Sequence, residues 1–286
     1  VSKVPGNDLV IFDTIESITS RPNYIETIDI KNSRDDRFAG VVGPYRITGE
    51  KILCGIHSCR TPNLNGVVIR LKDGSETNVG RDCGGAHFDA EFKIEVRRHD
   101  ALYNRHLKLK RIIEIQSEPQ LLERLKALKF QYDALKAKRL ELRGRISRGQ
   151  SDRLFRMGKE RDGRVYRHEF LSGDELEAYY ETNQGERKSG ARPSKAILLG
   201  EIQGVEFMAD VRRDEDPLNL TGLLEQIYES NYEAVSEWKE REINFAHRTV
   251  NNLPKQLDRI EHLIRQGTLF FDKDNLDRLR LIGVDI

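Results

Sequence analysis

Several residue types are scarce. Only 2 Met, 1 Trp and 8 Pro occur in 286 residues, which excludes collagen-like and proline-rich architectures. No apolar run approaches the roughly eighteen residues of a helical membrane span, so no membrane partner is expected. Three cysteines are an odd number and too few to staple a scaffold of this length. The opening VSKVPGNDLVIF has no uninterrupted apolar core of the signal-peptide kind, so a cytoplasmic chain is expected. GxxxxGK[ST], HExxH and GxSxG are all missing.

What is present is charge: 33% of the chain is Asp, Glu, Lys or Arg, against 37% hydrophobic residues. That composition and length describe a soluble, helix-rich chain of about two domains. The net charge of +1 hides a strong separation. Residues 1–100 carry 14 basic and 15 acidic side chains, 101–168 carry 19 and 8, and 169–286 carry 15 and 24. The middle segment, at net +11, can serve either a polyanion or the acidic last third of the same chain.

The periodicity predicts an α+β protein. Residues 1–100 read as a mixed domain with a Cys/His metal site, in which Tyr24–Ile30 alternates as a half-buried strand does. Residues 101–162 read as a long basic helical arm. Its stripe of Leu121, Leu125, Leu128, Tyr132, Leu135, Arg139, Leu142 and Ile146 is spaced by fours and threes, as in a coiled coil, and begins after Pro119. The end of this arm, RGRISRGQSDRLFRMGKERDGR, reads as a turn-prone crossing.

Residues 163–213 suggest a small antiparallel β insert: a strand over 165–170, a Ser172/Glu175 capping box, a Gly- and Ser-rich loop over 183–193, and a hairpin of 196–202 with 205–211. Residues 214–286 suggest an acidic helical arm entered at Asp216-Pro217, broken at Pro254 and ending before Gly267, then a docking tail. The two arms are expected to pair antiparallel, and a homodimer through the same stripes is the competing arrangement.

The clearest chemical signal is CGIHSC at 54–59, then a hairpin turning at Asp73-Gly74, then DCGGAHF at 82–88. Cys83 and His87 are four apart, on one face of the helix expected to run toward Phe92 and Ile94. Zinc takes four thiolate or imidazole ligands in a tetrahedron. The layout over about residues 50–95 resembles the treble-clef arrangement, a structural pattern in which a knuckle supplies two ligands and a helix start the other two. It departs from the usual spacing, because four residues separate Cys54 from Cys59.

Two ligand sets therefore stand. Cys54, Cys59, Cys83 and His87 use every cysteine and are preferred; Cys54, His57, Cys83 and His87 use the commoner two-residue gap but leave Cys59 unexplained. Buried core cysteines are the plain alternative. An iron–sulfur cluster lacks its usual closely spaced cysteine run.

Nucleic acid is the partner the middle segment suggests. Lys136, Lys138, Arg143, Arg145, Arg148, Arg153, Arg156, Lys159, Arg161 and Arg164 are the candidate phosphate contacts, and arginine suits bidentate phosphate binding. Phe155, Tyr166 and Phe170 are interleaved and could stack on bases or fill a core. The expected function is thus a zinc-stabilised, non-catalytic nucleic-acid-binding protein. The alternatives are a coiled-coil adaptor for protein partners and a metal-dependent nuclease using Asp89, Glu91 and Glu95, or Glu201, Glu206 and Asp210. Carboxylates at such spacing are more often ion-paired surface groups.

Overall fold

The computed structural model describes residues 2–3, 9–30, 35–183, 192–209 and 217–285. It has two compact units, Val1–Ser117 with Gln226–Val250 and Glu118–Glu225 with Asn251–Ile286. Mixed helix and small antiparallel sheets make it an α+β protein.

The first unit opens with β1 (Ser2–Lys3) paired to β2 (Val10–Ile11), then α1 (Ile15–Thr19). Strands β3 (Phe38–Arg46), β6 (Asn65–Leu71) and β7 (Glu76–Val79) form an antiparallel sheet in the order β3-β6-β7. Between them β4 (Ile52–Leu53) pairs with β5 (Pro62–Asn63). The central strand β6 is buried on both faces. Val67, Ile69 and Leu71 meet Phe88, Phe92 and Val96 on one side, and Val68 meets Phe12, Ile18 and Tyr45 on the other. Phe88 stands at the exit of α2 (Arg81–His87) and Phe92 in α3 (Ala90–Glu114), which Asp89 caps through the Glu91 N–H. The boundary expected at residue 100 falls inside α3.

A helix running directly from Cys83 to Ile94 was expected; the chain instead stops at His87 and restarts at Ala90, because Phe88 takes an extended backbone and Asp89 supplies a new cap.

The second unit begins after a short 3-10 turn, Ile115–Ser117, with α4 (Gln120–Arg145), entered at Pro119 as expected. Leu125, Leu128, Tyr132, Leu135, Arg139 and Leu142 of the stripe are buried. Next come α5 (Arg148–Glu160), β8 (Arg164–Phe170), α6 (Asp174–Thr182), β9 (Ser194–Glu201), α7 (Glu206–Ala209), α8 (Pro217–Tyr228), α9 (Tyr232–Ser236), α10 (Glu240–Phe270) and α11 (Lys273–Asp277), followed by the 3-10 turn Arg278–Ile282. The end of α8, α9 and the start of α10 belong to the first unit. There Tyr232 Oη meets His106 Nδ1 at 2.7 Å, and Gln116 Nε2 donates to the carbonyls of Ile227 and Ser230.

Several local expectations are corrected. Among the described residues α4 does not pair antiparallel with α10: Arg124 bonds Glu261, Leu135 packs on Gly267, and Leu142 shares a cavity lining with Phe271. Contacts that advance together along both segments mean that α4 and α10 run in the same direction. Residues 148–160 form a helix rather than a crossing, because Ser147 and Gln150 make a reciprocal cap and Leu154, Met157 and Gly158 share a buried stripe. Ser172 does not cap α6, whose N-cap is Gly173 at φ 57°, and Glu175 pairs instead with Lys195.

The hairpin expected across Gln203-Gly204 is replaced by pairing of β9 with β8. Gly204 sits at φ 68° where a side chain would strike the Gln266 carbonyl, and Val205, Phe207 and Met208 then turn into the core as helix. Pro254 lies inside α10 without ending it, since the buried stripe of Val250, Leu253, Leu257 and Ile260 continues in register across it. Gly267 likewise lies within α10. Residues 31–34, 184–191 and 210–216, with the Asp216 cap, Asp210 and most of the Gly-rich loop, lie outside the described residues.

Candidate metal centre

The residues between β4 and β5 form a tight knuckle. Cys54 N–H donates to the Thr61 carbonyl at 2.9 Å, while the N–H groups of Cys59 and Arg60 both reach the Ile56 carbonyl. Arg60 takes φ 46° to close the turn. The knuckle is strapped on both sides: Gly55 N–H donates to Asn78 of β7 at 2.7 Å, and Gly55 carbonyl accepts from Ile28 N–H at 2.7 Å. A side chain at Gly55 would collide with Thr77 Oγ1, so only glycine permits this approach. Asn78 itself is fully buried, accepting from Tyr24 Oη and donating to the Leu53 carbonyl.

On the other side of the cluster, α2 carries Cys83 in its first turn. The sulfurs of Cys54, Cys59 and Cys83 all lie within 4.8 Å of one another, and Cys59 Sγ is 2.8 Å from Cys83 Sγ. Cys54 is fully buried; the other two are half-buried against the same core. A cation about 2.3 Å from each thiolate would set tetrahedral sulfur edges of about 3.8 Å, which this cluster spans with small side-chain adjustments.

The electrostatics suit anionic sulfur unequally. Burial pushes the Cys54 thiol up, partly offset by N–H groups of Ile56 and Gly80 that point at its sulfur. Burial acts the same way on Cys59, but hydrogen bonding with Cys83 and Thr61 outweighs it and brings that thiol down to about 7. Cys83 moves oppositely, up to about 12, through burial and through holding the proton that Cys59 gives up. The Cys59–Cys83 hydrogen bond therefore shares one proton, and a cation beside the cluster would favour the thiolate form of all three sulfurs.

The two histidines are placed differently. His57 Nδ1 lies 3.4 Å from Asp29 on the exposed side of the knuckle. His87 ends α2, its carbonyl accepting from Asp35 N–H, and its ring helps hold the Asp35 carboxyl below the ordinary range, after the larger effect of Arg37. Among the described residues, the group of close ligand atoms consists of the three sulfurs, without either imidazole.

The basic candidates divide into two sets. Arg143 donates to the Met208 carbonyl, while Arg145 pairs with Glu141, Arg161 with Glu206 and Arg164 with Asp162; Lys136 is also engaged. Lys138 of α4 and Arg148, Arg153, Arg156 and Lys159 of α5 meet no carboxylate among the described residues, and all but Arg153 are exposed. Of the carboxylates considered for a nuclease site, Asp89 is engaged as the α3 cap and Glu95 lies near Arg98 and His99. Glu206 faces Arg161 and His262.

The sequence did not single out Thr61 and Gly80, which touch the sulfurs, or Arg192 and Leu198, which flank the exposed rings of Tyr166 and Phe170. The period-two run Arg164–Phe170 was the available signal for the last pair. No protein-family model, curated protein or solved structure matches this chain.

Proposed function

We propose that this chain is a non-catalytic, zinc-stabilised nucleic-acid-binding protein of the cytoplasm. Zinc is favoured over harder cations because the donors are thiolates, and over an iron–sulfur cluster because three spread cysteines lack the clustered run such centres use. Cys54, Cys59 and Cys83 supply three ligands. His87, one helical turn after Cys83, is assigned the fourth position, which makes the site structural and treble-clef-like. The convergence of the three sulfurs supports this half of the reading.

Nucleic acid is assigned to the cations of α5 with Lys138, which have no carboxylate to neutralise them among the described residues. Five phosphate contacts would give a log–log salt slope of about −3 to −5, with little sequence selection. The coiled-coil adaptor reading is weaker, since the α4 stripe is buried by its own chain.

Two measurements test the reading. Elemental analysis of protein purified without added metal is expected to give one zinc per chain, and cobalt(II) substitution to give thiolate charge-transfer absorption that changes in His87→Ala. A value near zero overturns the metal half. Mobility-shift titrations across a salt series are expected to show steep loss of binding, and the triple variant R148E/R156E/K159E to bind far more weakly. Salt-independent binding, or none, overturns the other half.

A further inference from the structure

We propose that the outward face of the β8–β9 ribbon is a stacking platform for single-stranded nucleic acid. Bases rest on Tyr166 and Phe170, and the phosphate beside Phe170 meets Arg192. The assignment rests on the nucleic-acid reading above and narrows it to unpaired strands.

The register sets the face. Tyr166 pairs with Leu198, His168 with Ala196 and Phe170 with Ser194, so these six side chains share one side of the ribbon. All six are exposed, Tyr166 at 39%, Phe170 at 63% and Leu198 at 54%. The opposite side is anchored at its base: Val165 is buried, and Gly200 lies against Leu281. The Ile202 N–H donates to the Gly163 carbonyl, and Arg278 donates to the Glu201 carbonyl. A two-stranded ribbon in water is marginal alone, yet this one is held from one side and leaves its aromatic side open.

Charge on the two sides differs. Around Tyr166, His168 and Phe170 the facing strand positions Leu198, Ala196 and Ser194 carry no carboxylate; Glu201 faces Arg164 at the base of the ribbon, while Glu169 pairs with Arg167, and Glu175 with Lys195, on the other side. The Arg192 guanidinium lies 5.4 Å from the Phe170 centroid and meets no carboxylate among the described residues. Arg164, shared with Asp162, lies 5.9 Å from the Tyr166 centroid. An apolar protein surface laid here would leave Arg192 without counter-charge, while a phosphodiester supplies it. Tyr166, His168 and Phe170 follow at every second residue, about 7 Å apart, so each ring can take a separate base. A duplex hides its base faces within the stack, which makes unpaired strands the ligand.

The test is anisotropy with a labelled homopyrimidine strand of about 16 nucleotides and the duplex of equal length. Unmodified protein is expected to bind the single strand more tightly, and Y166A/F170A to lose roughly tenfold to hundredfold on the strand while its duplex affinity and melting curve stay put. If Y166A/F170A binds the strand unchanged while R148E/R156E/K159E loses it, the platform falls and the α5 surface stands. Should the unmodified protein bind neither probe, the nucleic-acid reading fails and the platform with it. A dimer that F170A converts to monomer, with strand binding intact, overturns the proposal in favour of self-association.

Discussion

Replacing Glu76 by Gln probes the strand that holds the cysteine knuckle. This carboxylate is 2% exposed, yet four guanidinium N–H groups reach it: Arg21 Nε and Nη2 from one side, Arg70 Nε and Nη2 from the other. Burial pushes its pKa up, and the two arginines outweigh burial, so the folded carboxyl titrates below its ordinary 4.5. Glutamine keeps the shape but loses the charge and turns an NH2 toward donors. Breaking a buried pair costs roughly 3–5 kcal/mol; Arg70 is about half exposed and can rehydrate, so about 2–3 kcal/mol is expected. For a unit of this size that corresponds to a drop in melting temperature of roughly 5–10 °C.

The assay is thermal unfolding of both proteins followed by circular dichroism as a function of pH. A depressed folded pKa contributes stability that is fully present above the unfolded value and is lost as pH falls through the folded one. The gap between the proteins should therefore be widest at neutral pH and shrink below 4.5. A gap equally wide in acid, or no gap at pH 7, would refute the clamp.

Three other outcomes follow from the same geometry. Gly55→Ala should destabilise the first unit and weaken cobalt(II) binding, measured by thiolate absorption titration, because its Cβ would overlap Thr77 Oγ1. Leu135→Ala, which empties the buried seam beside Gly267, should cost about 2–5 kcal/mol in urea unfolding. In metal-free protein Cys59 should be alkylated first, with a rate rising through a pH of about 7, and zinc should protect it; equal labelling of all three cysteines by mass spectrometry would contradict the shared proton.

The knuckle, the Asp73-Gly74 turn and the α4 stripe were legible because local spacing encodes them: four residues between cysteines, alternation on both sides of a turn, and repeats of four and three. What escaped was decided at a distance. The direction of α10 relative to α4 depends on which buried stripe meets which, and both arrangements satisfy the same periodicity. Gly204 reads as a turn residue until Gln266 and Phe270 are seen against it. Pro254 reads as a stop, yet continuous burial on both sides carries the helix through. For the candidate metal site, chain spacing brought the sulfurs to one place but could not report that His57 turns to Asp29.

Arg139 occupies a leucine-like position in the buried seam of α4, where its Nη1 donates to the Phe207 carbonyl at 2.6 Å and its guanidinium lies 4.6 Å from the Phe207 ring centroid. Slide α4 by one heptad and that cation loses its carbonyl acceptor and faces hydrocarbon. Two copies zipped together along this seam would strand a pair of such cations at their centre. A single polar side chain thus acts as an index pin, favouring the alignment of α4 that keeps the Phe207 carbonyl within its reach.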